Sequence, residues 1–83
     1  SQWRTKYEEM LGIRHHEIVR HGRYDATRFQ IIELVHGDGV KALPLYVRGG
    51  TWSGQSQLEA YAQLLRVPVI ETRRDVREYQ GKR

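Results

Sequence analysis

The sequence predicts an α/β (or α+β) fold: a single small domain in α-β-β-β-α-β order, with a mixed sheet flanked by helices. Three observations predict it. Leu58, Tyr61, Ala62 and Leu65 fall at i, i+3, i+4 and i+7, which puts them on one face of a helix. Asp38-Gly39 stands between two apolar runs, a strong hairpin signal. Val67, Val69 and Ile70 follow the helical pattern and favour extended chain. The stretch from Val40 to Thr72 then reads as a strand, a crossover helix and a second strand, right-handed and parallel by default.

Taken in order, residues 1–12 read as the first helix. Trp3, Tyr7, Met10 and Leu11 occupy i, i+4, i+7 and i+8, Arg4 and Glu8 pair on the wet side, and Gly12 suits the C′ position. Residues 15–22 read as a strand centred on Ile18 and Val19, closed by a turn over Gly22-Arg23-Tyr24-Asp25. Residues 27–36 form the second strand, with Phe29, Ile31 and Val35 on one face and Ile32 and Leu34 on the other. Apolar residues on both faces imply cover on both sides. With Asp38-Gly39 as a two-residue loop, Leu34 lies opposite Leu43 and Ile32 opposite Leu45, while Ala42 and Tyr46 share the face of Phe29. Pro44 cannot donate to a ladder and belongs at an edge or a bulge. Ser56 and Glu59 have the spacing of a capping box, and Pro68 forces the helix to end before it. Residues 73–83 read as a short terminal helix using Val76 and Tyr79, frayed at its end.

Composition narrows the chemistry. Eighty-three residues, 39% hydrophobic and 29% charged, suit one domain spanning residues 1–83 with a modest core. The chain has no cysteine, which excludes disulfides, thiolate zinc sites and cysteine nucleophiles. No apolar run approaches the roughly 20 residues of a membrane span, and no signal-peptide core opens the chain. The expected location is intracellular, cytoplasmic or nuclear, with no membrane partner. Lys plus Arg number 14 against 10 acids, a net charge of +4, and eleven of the fourteen are Arg. Arg presents a planar fork that donates two parallel hydrogen bonds to phosphate, so the excess points to nucleic acid, DNA or RNA. The four histidines show no metal-binding spacing on a helix.

The element order resembles the common core of the PD-(D/E)xK, or restriction-endonuclease-like, nucleases. Gln57-Leu58-x-x-Tyr61 after the third strand is similar to the Q-L-x-x-Y seen there in that family. The resemblance implies an acid on the second strand and an E-x-K on the third, holding Mg²⁺ and an attacking water. The third strand here, Leu43-Pro44-Leu45-Tyr46-Val47-Arg48, holds no acid. The substitutes are Glu33 on the second strand, Arg48, and Glu59 on the helix, where some members carry the second acid. The implied active site is therefore degenerate, with Glu33 and Glu59 as its catalytic candidates. Trp52-Ser53-Gly54 followed by Leu58-Glu59-Ala60-Tyr61-Ala62 also resembles a segment of ovarian-tumour-type deubiquitinases, whose cysteine nucleophile has no counterpart here. Gln57-Leu58, Tyr61-Ala62 and Val67-Pro68-Val69 are similar to part of the signal-recognition-type GTPases, without their phosphate loop. Residues 61–77 resemble a helix-turn-helix whose recognition helix carries Arg73, Arg74 and Arg77.

These readings converge on a small basic domain that binds nucleic acid through Arg48, Arg73, Arg74 and Arg77, without robust catalysis, cofactor or metal. The enzymatic alternative is a divergent Mg²⁺ nuclease using Glu33 and Glu59. The interaction alternative is a sheet edge around Pro44 that pairs with a protein partner or a second copy of the chain.

Overall fold

A computed structural model describes residues 10–78. They form three consecutive antiparallel strands, a helix and a last short strand. These are β1 (Met10–His21), β2 (Ala26–His36), β3 (Ala42–Gly49), α1 (Gln55–Leu65) and β4 (Arg73–Arg77). The sheet order is β3-β2-β1-β4, with β4 parallel to β1. The expected sheet flanked by helices is thereby corrected: among the described residues the domain is mostly sheet, with a single helix. Most of the expected first helix lies outside the described residues, and its last positions, Met10 to Gly12, belong to β1.

The crossover differs as well. Val67 to Ile70 make only one bridge, Ile13 to Val69, and β4 lies further along at Arg73–Arg77. The expected terminal helix is therefore a strand, at least up to Arg77; Tyr79 onward lies outside the described residues. β3 and β4 sit on opposite edges, so the chain crosses the whole sheet between them. Charges on a short edge strand are ordinary, because an edge has one unpaired side to keep wet. A strand of composition RRDVR is therefore compatible with its edge position, although the same residues read as a terminal helix.

Alternation along the strands gives the sheet two unlike faces. Cross-strand partners share a face, so Ile13, His15, Glu17 and Val19 of β1 stand beside Leu34, Ile32, Gln30 and Arg28 of β2. This is the helix face: Ile13 and Ile32 pack with Leu58 and Ala62 of α1, edged by Leu45, Tyr46, Tyr61 and Leu65. The predicted helical stripe is thus the one that is buried. Its predicted capping box is not formed. The N-cap is Gly54, without a side-chain cap, and the Trp52 ring occupies the space a Cβ there would need. Glu59 instead accepts a 3.0 Å bond from Gln55 Nε2. At the other end Arg66 takes the left-handed conformation, φ 56°, and its backbone N–H caps the last turn.

The predicted hairpin is present with a longer loop. His36 N donates to Lys41 O at 2.8 Å, and Asp38 Oδ1 accepts the N–H of Val40 and Lys41. Leu34 pairs with Leu43 as expected, but a bulge between Pro44 and Tyr46 shifts the rest by one residue. Ile32 therefore faces Tyr46, not Leu45, which moves Tyr46 off the face of Phe29, and Arg48 pairs with Gln30 on the helix face. Among the described residues, no helix is long and apolar enough to cross a membrane.

Candidate nucleic-acid interface

The polar residues of the central strand β1 are satisfied by two networks, one on each face. On the helix face the His15 ring stacks on Trp52, centroids 3.6 Å apart, and its Nε2 meets Gln30 Oε1 at 2.6 Å. Gln30 Nε2 donates to Glu17 Oε2 at 3.0 Å and to the Gly50 carbonyl at 2.8 Å. Glu17 also holds Arg74 at 3.2 Å, with Arg28 at 3.8 Å. On the opposite face Arg14 Nε donates to Glu33 Oε2 at 2.8 Å, and its Nη2 reaches the same oxygen. His16 bridges Glu33, at 3.3 Å, and Asp75, at 2.6 Å, and Asp75 pairs with Arg73 at 3.1 Å. No buried side-chain nitrogen or oxygen among the described residues lacks a partner.

These contacts tune the carboxylates. The hydrogen bond from Gln30, with Arg74 and Arg28 nearby, holds Glu17 below its ordinary value of 4.5. The His16 hydrogen bond, followed by Arg73, holds Asp75 below 3.8. A carboxylate depressed in the folded state contributes stability above its unfolded pKa and loses it as pH falls through the folded value. Urea unfolding is therefore expected to show stability falling as pH drops below about 4.5. Unchanged stability across that range would show that neither ladder contributes.

The two catalytic candidates are not brought together. Glu33 is buried at 6% exposure on the face opposite the helix, engaged by Arg14 and His16. Glu59 is exposed on α1, which packs against the other face. The sheet lies between the two carboxylates, so one ion cannot be shared by both. The second helix of a helix-turn-helix is also missing, because Arg73, Arg74 and Arg77 lie on β4.

The arginines, in contrast, gather. β1, β3 and β4 run parallel to one another, so their carboxyl ends meet at one end of the sheet. Arg48 is the penultimate residue of β3, Arg20 of β1, and Arg77 is the last of β4. Arg28 is the third residue of β2, at the same end, and Arg23 lies in the turn between. With Arg74, six of the nine described arginines lie at this end, beside Glu17, Asp25, Asp75 and Glu78, and Arg73 stands one row further in, beside His16. Arg48, Gln30, Glu17 and Arg74 form one row across the helix face, spanning about 14 Å at the usual strand spacing. Arg20 pairs with Arg77 on the opposite face, and neither makes an ion pair among the described residues, nor does Arg48. Sequence reasoning missed Arg20, Arg23 and Arg28 as members of this group. Their common signal is position, within three residues of the turn ends of β1 and β2.

Comparison of the chain with models of known families, with curated proteins and with solved structures finds no match.

Proposed function

We propose that this domain binds nucleic acid through the phosphate backbone, at the arginine-rich end of its sheet. The observation that carries the reading is that Arg20 and Arg77 stand side by side there, with Arg48 on the other face of the same end, none of them with a carboxylate partner among the described residues. Arg73 and Arg74 are held by Asp75 and Glu17 yet remain 51% and 59% exposed, leaving further guanidinium N–H groups for phosphate. Like charges packed side by side are unfavourable in the free protein, and an anionic ligand relieves them. The edge-pairing alternative has less support. Pro44 and the neighbouring bulge interrupt β3, and β4 has only five residues, mostly charged.

The test is a salt titration of binding to labelled duplex and single-stranded oligonucleotides. Affinity is expected to fall steeply with salt as condensed counterions are released. Replacing Arg20 and Arg77 together by Ala should flatten the slope of log affinity against log salt by about 1.8 on duplex, or about 1.4 on a single strand, if both touch phosphate. Arg66→Gly, at the far end of the sheet, removes a charge where glycine suits the backbone and should leave the slope unchanged. Absence of binding to either oligonucleotide at low salt defeats the reading, and an unchanged slope in the double variant removes Arg20 and Arg77 from the site.

A further inference from the structure

At the same end of the sheet, the face opposite the helix carries an apolar strip. Its rows are set by the strand register. Val47, Ile31, His16 and Arg73 make one row, Gly49, Phe29, Ile18 and Asp75 the next, and Thr27, Arg20 and Arg77 the last. Phe29 is 39% exposed and Val47 59%, large values for apolar side chains within a sheet. The cause at Phe29 is local. Its partner on β3 is Gly49, which has no side chain, so one flank of the ring is left uncovered. An open cleft of about 450 Å³ lies there, bounded by Ala26–Phe29 of β2 and Gly49–Thr51, and its lining is mostly apolar. That size falls in the range of small-ligand clefts. In the adjoining turn Tyr24 is 89% exposed, with the Arg23 guanidinium 5.5 Å from its ring centroid.

We infer that this cleft is a base-binding subsite and that the preferred ligand is a single-stranded nucleic acid. The inference rests on the phosphate-binding reading above and adds the form of the ligand. An aromatic ring exposed next to a row of guanidinium groups matches the two parts of a nucleotide. The base stacks on an apolar ring, and the phosphate lies against arginine. In a duplex the bases are paired and stacked on one another, so no base face is available to Phe29. A single strand offers that face at a lower cost, because no base pair has to be opened. Arg20 and Arg77 occupy the row next to Phe29, so one strand running along the sheet end can engage both at once.

Two substitutions separate the base subsite from the charge. Phe29→Leu keeps an apolar side chain but removes the ring. Gly49→Val extends a branched side chain toward the cleft from the neighbouring strand; a Cβ at position 49 meets nothing closer than the Arg28 carbonyl oxygen at 3.9 Å. Both variants are checked by circular dichroism and thermal melting. Binding is measured with a labelled single-stranded oligonucleotide and a duplex of the same sequence. The single strand is expected to bind at least tenfold more tightly than the duplex. Each variant should weaken single-strand binding on the order of tenfold while leaving the salt slope unchanged. Equal affinity for the two forms, with both variants neutral, overturns this inference, yet salt-sensitive binding lost on removing Arg20 and Arg77 then leaves the phosphate reading standing. Absence of binding to both oligonucleotides overturns the two together.

Discussion

Glu33→Leu is expected to destabilise the domain by about 3–5 kcal/mol, the usual cost of removing one partner of a buried ion pair. Glu33 and Arg14 have side-chain exposures of 8% and 12%, so neither charge can turn to water without disrupting the sheet. Without the carboxylate, the Arg14 guanidinium is left buried beside His16 with no anion of β2 to receive its hydrogen bonds. A domain of 83 residues has a total stability of roughly 4–12 kcal/mol, so the loss is a large share of the whole. Replacing both partners, Arg14→Met with Glu33→Leu, should restore most of the stability, because no unpaired charge then remains. Urea unfolding of the two single variants and the double variant gives the coupling directly. A single variant as stable as the parent would mean that the pair is solvated.

Gly12→Ala is the second large effect, expected to cost about 1–3 kcal/mol through overpacking. A Cβ at position 12 would lie 2.6 Å from the Pro68 carbonyl oxygen and 2.7 Å from Ile70 Cγ2. The isoleucine can rotate. The carbonyl cannot, because it accepts the Ile13 N–H at 2.8 Å, while Ile70 N donates back to Ile13 O at 2.9 Å. These two bonds hold the Val67–Ile70 segment beside β1 ahead of β4. Gly49→Ala is the matched comparison, since nothing crowds that position and alanine is favoured over glycine in a strand by roughly 0.5–1 kcal/mol. Hydrogen exchange at Ile13 and Ile70 should quicken in Gly12→Ala alone. Parental stability in that variant would show that the close approach at Pro68 yields at no cost.

Both predictions concern residues whose role changes between sequence and structure. Gly12 reads as the stop signal of a helix, but in the fold it lets the backbone of Pro68 approach a central strand. Glu33 reads as a candidate metal ligand, but it closes an ion pair inside the sheet. Local patterns report periodicity and turn chemistry, whereas these two roles depend on distant partners: 19 and 17 residues away for Glu33, and beyond the helix, at Pro68 and Ile70, for Gly12. The difficulty is greatest in β1 itself. Arg14-His15-His16-Glu17 is a poor strand by composition, and it is tolerated at the centre of the sheet because β2, β4 and Trp52 supply a partner for each side chain.

What the sequence alone determined is the set of features carried by short-range chemistry. The stripe Leu58-Tyr61-Ala62-Leu65 had to make an amphipathic helix, and α1 buries that stripe. Asp38-Gly39 had to turn the chain, and Leu34 meets Leu43 across the hairpin it closes. The arginine excess was also legible, including Arg73, Arg74 and Arg77 as neighbours. Tertiary structure alone decided which strand lies beside which. Pairing β4 with β1 puts Arg77 next to Arg20, and the bulge after Pro44 moves Arg48 to the helix face and leaves Gly49 beside Phe29. It also decided that Glu33 and Glu59 stand on opposite sides of the sheet. The physical reason is that a strand's hydrogen-bonding edges are the same whatever its side chains. Its partner and register are therefore set by how the whole set of faces is buried, and a shift of one residue reverses which face each side chain occupies.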